Sequence, residues 1–401
     1  MSPIDWPMNR LTIVGAGPVG LHAALQAVRN DFHVTVLERR DIGAAIRRWA
    51  HVRLFTPFSM NSTASGRRIV VRSGRLPSDN ALLTGEEYLQ RYLIPLASSN
   101  TLAPRIYTSS EVIAVSRSAY GKSHKPGKSE RSASPFRLLV RDRNESETVL
   151  ESDVLIDCTG FMMRHRFMGA GGIPCPGEHS CLTDANYEIA APESSVDGLH
   201  HVVVVGSGYS AATSVCVLQD FSRRITWITR GYRDVPILPI GGDGLDERRR
   251  LTEQANRLAL DPESGVRWLA GAQIESIERT GNDCLLRISS PDGPAESLTC
   301  DRVVANPGFR PDSRPFDELQ IHRCYATEGP IRLASHLLGE TASDCLTQDV
   351  PGAELLSNPE PGFYILGAAS YGRDSRFLLR NGLQQIEQLF DTVLRAAEEV
   401  R

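Results

Sequence analysis

The chain has 401 residues, more than one hydrophobic core usually organises, so its length predicts two or three domains. Its composition, 41% hydrophobic and 23% charged, is typical of a soluble globular protein. The net charge of −4 argues against a nucleic-acid surface, and no run of about 20 apolar residues offers a membrane span. The first ten residues lack a secretory signal pattern, so we expect a cytoplasmic protein.

The cysteines set limits on metal and redox chemistry. None forms a Cys-x-x-Cys pair, and none alternates with histidines at zinc-ligand spacing, so no metal site is predicted. We interpret them as reduced, mostly buried thiols. Five residues separate Cys175 from Cys181, and the sequence leaves open whether these two are redox-active. The cysteines are Cys158, Cys175, Cys181, Cys216, Cys284, Cys300, Cys324 and Cys345.

The first elements form one strand, turn, helix and strand unit. The sequence predicts a strand at 11–14, a glycine turn at 15–20, a helix at 21–28 and a second strand at 33–37. Glu38 stands at the end of that second strand. This context turns a weak G-x-G-x-x-G match into a predicted dinucleotide site.

Each glycine of this turn has a separate expected role. Gly15 makes the tight turn, Gly17 lets the backbone approach a pyrophosphate, and Gly20 lets the helix pack closely on the strand. Pro18 lies within the turn and is expected to bind the nucleotide, and the N-terminus of the following helix faces the phosphates. Glu38 lies 23 positions after Gly15, where a carboxylate binds ribose hydroxyls and repels a 2′-phosphate. The first site therefore suits FAD or NAD.

The middle of the first half is less regular. Residues 84–97 predict a helix that opens on a capping box. Strands are predicted around 112–115, 136–140 and 154–156. The Ser-, Lys- and Gly-rich stretch at 116–135 is interpreted as a solvated, mobile hairpin loop.

A second unit of the same kind begins at His201. It has a strand at 202–205, a turn at 206–211, a helix at 212–218 and a returning strand at 224–228. The residues of this turn that we expect to bind a nucleotide are Gly206, Gly208, Ser210 and Ala211.

The two units differ in the residues at the end of the returning strand. The position that matches Glu38 is Thr229, and Arg230 follows it. A hydroxyl and a guanidinium suit a 2′-phosphate, so the second site is predicted to bind NADPH. An ordinary surface arginine is the alternative for Arg230. Two dinucleotides in one chain suggest a hydride relay, with NADPH as donor and a flavin as acceptor.

Four further stretches are similar to flavoproteins with two dinucleotide domains, the group of thioredoxin-reductase-like enzymes and class B flavin-containing monooxygenases. They are the strand ends at 157–160 and 306–311, the late strand and turn at 363–368, and residues 172–178. The resemblance implies an α/β fold with two Rossmann-like, three-layer ββα domains, the NADPH domain being inserted into the FAD domain. The expected boundaries are 1–197 and 301–401 for the FAD domain and 198–300 for the NADPH domain.

The same resemblance implies further FAD contacts. We expect them from Arg39, Trp49, Thr159, Gly160 and Gly367, with a packing role for Trp49 as the open alternative. The cysteine pair of the disulfide reductases is missing, and so is the F-x-G-x-x-x-H signature of class B monooxygenases. The Gly208-Tyr209-Ser210-Ala211 stretch matches the G-x-G-x-S-A form common in the latter group.

The leading hypothesis is a monooxygenase that needs FAD and NADPH and oxygenates a nitrogen, sulfur or carbonyl substrate through a C4a-hydroperoxyflavin. The alternative is an NADPH-dependent reductase that passes electrons to a disulfide, a quinone or a partner protein. The expected partners are a small-molecule substrate and O2, without nucleic acid or membrane, and a homodimer is left open. The sequence does not identify the catalytic residues or the substrate.

Overall fold

The computed structural model describes residues 10–74, 76–192, 199–222, 224–290, 293–339, 346 and 352–394. The strands are β1 (Arg10–Val14), β2 (His33–Leu37), β3 (Ile106–Tyr107), β4 (Ser110–Arg117), β5 (Phe136–Asp142), β6 (Glu147–Ser152), β7 (Val154–Asp157), β8 (His201–Val205), β9 (Arg224–Thr229), β10 (Val266–Ala270), β11 (Gln273–Thr280), β12 (Asp283–Ser290), β13 (Gly293–Cys300), β14 (Arg302–Ala305) and β15 (Phe363–Ile365). The α-helices are α1 (Pro18–Arg29), α2 (Ala44–Arg47), α3 (Ala64–Val70), α4 (Gly85–Tyr88), α5 (Ile94–Ala97), α6 (Ser129–Ser132), α7 (Glu178–Cys181), α8 (Tyr209–Leu218), α9 (Asp246–Leu260), α10 (Ile331–Gly339), α11 (Ala368–Tyr371) and α12 (Leu379–Gln388).

The chain forms two units, and the first contains residues 1–164 and 310–401. Its parallel sheet has the strand order β15-β7-β1-β2-β3. The β1 and β7 sequences are short apolar runs buried on both faces, which is typical of parallel strands covered by helices. A separate antiparallel sheet has the order β4-β5-β6.

The second unit contains residues 165–309 and repeats this plan. Its parallel sheet has the order β10-β9-β8-β14, and its antiparallel sheet the order β11-β12-β13. Each unit therefore has one parallel sheet with a glycine turn after its first strand and one antiparallel sheet. This is the predicted fold class, two Rossmann-like domains of which the second is inserted into the first.

The inserted unit is longer than predicted. It begins at His165 rather than 198 and ends at Phe309 rather than 300, and residues 193–198 at the predicted junction lie outside the described part. Residues after 165 belong to this unit because they pack on its antiparallel sheet. The Ile277 N–H donates to the Pro176 carbonyl, and a Cβ atom at Gly177 would lie only 1.8 Å from the Ile277 carbonyl oxygen.

The helix predicted at 84–97 opens as expected and is then interrupted. Thr84 and Glu87 form the capping box in both directions. Residues 89–93 are π-helical, between α4 and α5. Pro95 follows in the first turn of α5 and has no N–H for an intrahelical bond, so the local widening occurs next to the residue that breaks the α-helical ladder.

The stretch predicted to be a solvated loop is anchored near each end by a buried arginine. Arg131 in α6 is 1% exposed and donates from Nη2 to the Glu360 carboxylate at 2.7 Å. Arg117, at the end of β4, donates to the same carboxylate at 2.8 Å and lies 3.7 Å from the centre of the Phe136 ring. Glu360 itself is fully buried, and its pKa lies below the usual range because the arginine hydrogen bonds outweigh its desolvation.

Candidate cofactor and active site

The first glycine turn lies between two strand ends. The Gly15 N–H donates to the Leu37 carbonyl at 2.8 Å, and the Cys158 N–H donates to the Val14 carbonyl at 2.8 Å. At Gly15 φ is +106°, and a Cβ atom there would lie 2.6 Å from the Cys158 carbonyl oxygen. A Cβ atom at Gly20 would lie 1.9 Å from the Gly15 carbonyl oxygen. The protein's own backbone therefore requires glycine at these two positions.

Gly17 differs from its neighbours in the turn. No protein atom lies within 4 Å of the position that its Cβ atom would take. It is the N-cap of α1, with Pro18 in the first turn and Val19 after it. The open space in front of Gly17 is therefore a cradle at a helix N-terminus, which fits the pyrophosphate expected there.

This cradle continues into a cavity formed by the first unit alone. Besides Gly15 and Gly17, five of the predicted FAD contacts line it, namely Pro18, Glu38, Arg39, Thr159 and Gly160. Its wall also includes the start of β4 and residues just after the inserted unit. The lining residues are Val14, Gly15, Gly17, Pro18, Leu37, Glu38, Arg39, Arg40, Gly43, Ala44, Ala45, Ile46, Ser110, Glu111, Val112, Cys158, Thr159, Gly160, Phe161, Met163, Arg164, Arg310, Asp312 and Pro315.

The Glu38 carboxylate is held in place by backbone donors. The Ala16 N–H donates to Oε2 and the Arg40 N–H donates to Oε1, each at 2.9 Å. A carboxylate has about four lone-pair sites, so two are still available to ribose hydroxyls. The structure thus presents Glu38 to the cavity in a fixed orientation, while Arg39 beside it is exposed.

A second strand end holds Thr159 in position. Both the N–H and the hydroxyl of Thr159 donate to Asp157 Oδ1, at 2.9 and 2.6 Å. Burial raises the pKa of Asp157, although these two hydrogen bonds partly oppose that effect. Gly160 follows with φ of +69° and no protein atom near its Cβ position, so this turn also leaves its backbone open to the cavity.

Trp49 and Gly367 lie outside the residues that line the cavity. The Trp49 ring packs on Gly85, where a Cβ atom would lie 3.0 Å from it. Its indole Nε1 is buried, and no described residue accepts a hydrogen bond from it. An unpaired buried donor is costly, so this atom is a candidate for donation to a bound cofactor. The packing contact and the unpaired donor together keep both predicted roles open.

Gly367 has a role that the sequence did not indicate. Its N–H donates to Gln385 Oε1 at 2.8 Å, and a Cβ atom would lie 2.9 Å from Val19 Cγ2. The helix after β15 has only four residues, Ala368–Tyr371. Gly367 therefore lets the β15 end pack against the start of α1. Its N–H already has a protein partner.

The second glycine turn repeats the geometry of the first, except that its third glycine position accepts an alanine. The Gly206 N–H donates to the Ile228 carbonyl at 3.0 Å, and a Cβ atom at Gly206 would lie 2.2 Å from the Asn306 carbonyl oxygen. No protein atom lies within 4 Å of a Cβ atom at Gly208. Ala211 is fully buried in α8, so a methyl group fits where the first turn needs Gly20. Ser210 lies between them at the start of the helix.

The two residues predicted to contact a 2′-phosphate differ in accessibility. Thr229 is 1% exposed, and its hydroxyl accepts a hydrogen bond from Trp268 Nε1 at 3.0 Å. Arg230 is half-buried, and a Cβ atom at Gly172 would lie 3.6 Å from its Nη1. Of the pair, Arg230 is the one with a side chain available to a ligand.

The two cysteines whose redox activity the sequence leaves open are buried thiols in the structure. Cys175 and Cys181 are both free and buried, and burial with the nearby Glu178 carboxylate raises the pKa of Cys175 to about 12. Cys158 is the one cysteine among the residues that line the cavity, and burial raises its pKa well above the usual value. With their pKa raised this far, the Cys158 and Cys175 thiols are protonated and unreactive at neutral pH. Cys345 lies outside the described residues.

Sequence reasoning missed part of the cavity wall. Ser110, Glu111 and Val112 come from the start of β4, and Arg310 and Asp312 follow the inserted unit. The sequence indicates a strand end at 306–311 but does not indicate that Arg310 lines the first site. No local pattern marks the β4 residues, because they reach the cavity only through the tertiary fold.

Comparisons with known proteins agree with this architecture. The profile of the pyridine nucleotide-disulphide oxidoreductase family matches residues 9–327, and the chain belongs to this family. It is an oxidoreductase that uses FAD and NAD(P)H. No curated protein matches the sequence significantly. No helix among the described residues is long and apolar enough to cross a membrane.

Solved structures with this fold come from enzymes of different activity. The bacillithiol disulfide reductase Bdr of Bacillus cereus is 17% identical, with a TM-score of 0.72 and coverage of 97% of this chain and 99% of that chain. An ornithine N-hydroxylase of Kutzneria sp. 744 is 16% identical, with a TM-score of 0.62 over 98% and 100%. The thioredoxin reductase of T. acidophilum is 15% identical, with a TM-score of 0.60 over 96% and 98%. At these identities the likeness establishes the fold.

Proposed function

We propose that the chain is an NADPH-dependent FAD monooxygenase that oxygenates a small substrate at nitrogen, sulfur or a carbonyl group. The observation that carries the proposal is that, among the described residues that line the cofactor cavity, no cysteine offers a reactive thiol. Cys158, the one cysteine that lines it, is buried with a raised pKa. Since no thiol pair in the described lining can accept electrons, an acceptor that reaches the cofactor directly, such as O2, fits this cavity better.

The residues of the first unit would hold FAD in this reaction. The N-terminus of α1 in front of Gly17 receives the pyrophosphate, and Glu38 accepts hydrogen bonds from the adenosine ribose. Thr159, fixed by Asp157, and the open backbone of Gly160 line the same cavity. When bound, FAD accepts a hydride from reduced nicotinamide and passes electrons onward.

The second unit would hold NADPH. Gly208 leaves room for a pyrophosphate at the start of α8, and Arg230 offers a charge-assisted hydrogen bond to a 2′-phosphate. The Thr229 hydroxyl is buried and already accepts a hydrogen bond, so Thr229 would support this site through its strand backbone. A cytoplasmic location and a homodimer stay predictions.

Stopped-flow mixing of the NADPH-reduced protein with oxygen tests the proposal. We expect a transient absorbing species between the reduced and oxidised flavin spectra, and less than one peroxide per NADPH when an amine or thioether substrate is present. Reoxidation in one step, with one peroxide for every NADPH under all substrates tried, would contradict an oxygenase.

A second candidate is an NADPH-dependent reductase of a small disulfide. It is favoured by the fold match to a bacillithiol disulfide reductase along the whole chain. Anaerobic oxidation of NADPH by a low-molecular-weight disulfide, with one disulfide consumed per NADPH, would support it. Cys158→Ala with Cys216→Ala as its matched control tells whether a protein thiol takes part, because Cys158 lines the cavity and Cys216 belongs to the other unit.

A further inference from the structure

A basic cavity lies in the first unit, away from the cofactor turn. It has a volume of about 550 Å³, within the usual range for small-molecule sites. The residues that line it are Leu25, Arg29, Ser65, Arg68, Ile69, Val70, Arg72, Pro95, Ser98, Ser99, Asn100 and Thr101. Three of them are arginines and none is acidic. We call this the arginine cavity.

The three guanidinium groups come from separate elements. Arg29 is in the last turn of α1, Arg68 is in α3, and Arg72 is in the short helix that follows α3. All three are exposed, and no ion pair joins any of them to a described carboxylate. Their neighbour Arg67, in contrast, pairs with Asp79 at 2.7 Å. The arginines that face the cavity thus lack the carboxylate that the adjacent arginine has.

Helix-end stabilisation explains part of this arrangement. Arg29 and Arg68 lie in the last turns of their helices, where a cation interacts favourably with the helix dipole. That effect does not require the charges to face one cavity. Three like charges around a common space repel one another, and a bound anion would relieve the repulsion.

The rest of the lining indicates what kind of anion fits. The serine and threonine hydroxyls and the Asn100 amide supply neutral hydrogen-bond donors. Ile69 and Pro95 are half-buried and form the accessible apolar part of the lining. A ligand that matches both parts has several anionic oxygens and an organic portion.

The arginine cavity is separate from the FAD cradle. Gly17 caps α1 at one end and Arg29 lies at the other, so about 16 Å of helix separates the two sites. No residue is common to the two linings. The arginine cavity therefore does not depend on the assignment of the dinucleotide sites.

We infer that the arginine cavity binds a small organic polyphosphate of nucleoside-diphosphate size. Arg29, Arg68 and Arg72 take the phosphate oxygens. The polar side chains of residues 98–101 complete their hydrogen bonds, and the organic portion covers Ile69 and Pro95.

Calorimetric titration of the FAD-loaded protein, saturated with NADP⁺, tests this inference. GDP, inorganic pyrophosphate and a glutamate-rich peptide are the probes, since FAD and NADP⁺ already fill the dinucleotide sites. We expect GDP to bind at least tenfold more tightly than pyrophosphate. Equal affinity for GDP and pyrophosphate would overturn the inference that the ligand has an organic portion. Binding of the peptide in place of GDP would overturn the inference of a small ligand and assign the surface to a protein partner.

The variant that tests the residues carries Arg29→Gln, Arg68→Gln and Arg72→Gln together. Its matched control removes the same charge at three exposed arginines elsewhere, Arg137→Gln, Arg143→Gln and Arg224→Gln. We expect GDP affinity to fall at least tenfold in the first variant and less than twofold in the control. An equal loss in both would mean general electrostatic attraction and would overturn the site. FAD content and circular dichroism establish that each variant is folded.

Discussion

The two glycine turns of this chain have the same backbone hydrogen bonds. They differ in whether the third glycine position accepts a methyl group, and in the residue at the end of the second strand, Glu38 in one unit and Thr229 in the other. In each, the first glycine N–H donates to the end of the second strand, and a neighbouring strand end leaves no room for a Cβ atom. The first turn cannot accept a methyl group at Gly20, whereas the second holds Ala211. The difference shows that the shared motif fixes the backbone of the turn while the packing of the following helix varies.

The helices behind the turns differ in a further way. His22 in α1 and Thr213 in α8 occupy matching positions, and each bonds a carbonyl four residues earlier. The Pro18 carbonyl accepts from His22 Nδ1 at 2.7 Å, so Nε2 is left to accept from the Tyr92 hydroxyl at 2.9 Å. Full burial lowers the pKa of His22 to about 4. The helix after the first turn thus has a buried titratable group at the position where α8 has a threonine.

The largest expected effect is at the third glycine position. Gly20→Ala forces a methyl group to within 1.9 Å of the Gly15 carbonyl oxygen, so we expect a loss of about 3 kcal/mol or more in unfolding free energy, with reduced FAD content. The opposite change, Ala211→Gly, costs only about 1 kcal/mol, because glycine is the poorer helix former. Urea unfolding measures both. Equal losses would mean that the two turns do not differ in packing.

Substitution of the middle glycine in each turn distinguishes FAD binding from NADPH binding. Gly17→Val and Gly208→Val both place a side chain in open space at a helix N-cap, so their costs to unfolding should be similar. We expect Gly17→Val to weaken FAD binding by about thirtyfold, or about 2 kcal/mol, and Gly208→Val to weaken NADPH binding instead. Flavin fluorescence and steady-state kinetics report the two affinities. Loss of FAD from the Gly208→Val protein would contradict the assignment.

The histidine makes the first unit sensitive to acid. The folded-state pKa of His22 is about 4 and its unfolded value about 6.5, so the unfolded chain binds a proton first as the pH falls. The free energy of unfolding therefore decreases as pH falls through this interval, by about 2 kcal/mol from neutral pH to about pH 5. His22→Thr, which copies Thr213, should remove that slope, and Tyr92→Phe should keep it. Urea midpoints against pH would refute the role of His22 if His22→Thr had an unchanged slope.

The smallest effect concerns the choice of nicotinamide cofactor. Arg230→Ala should lower the preference for NADPH over NADH by about tenfold, the value of one charge-assisted hydrogen bond of about 1.5 kcal/mol. Arg224→Ala, at the exposed start of the same strand, is the matched control and should change nothing. The ratio of kcat/KM for the two cofactors measures the effect. An unchanged ratio would leave Arg230 as a surface residue.

The local sequence pattern predicts those parts of the candidate site whose geometry is set within one strand, turn and helix unit. The glycine spacing and the position of Glu38 follow from one strand, turn and helix unit, so the sequence was sufficient. Thr229 was predicted as a ligand contact because nothing nearby shows that Trp268 covers it. Likewise the partner of the Gly367 N–H, Gln385, lies on a later helix. Such features depend on which side chains meet across the fold, and a single sequence does not encode that in its spacing.

The carboxylate of Glu360 gives the loop at 118–130 an unusual property. Arg117 lies before this loop and Arg131 after it, and both are buried against the same carboxylate. A protease cut among the exposed residues 121–128 would leave one of these arginines on each fragment. The two fragments would stay bound through Glu360 and the paired strands β4 and β5, so a nicked chain would behave as an intact domain until it is denatured.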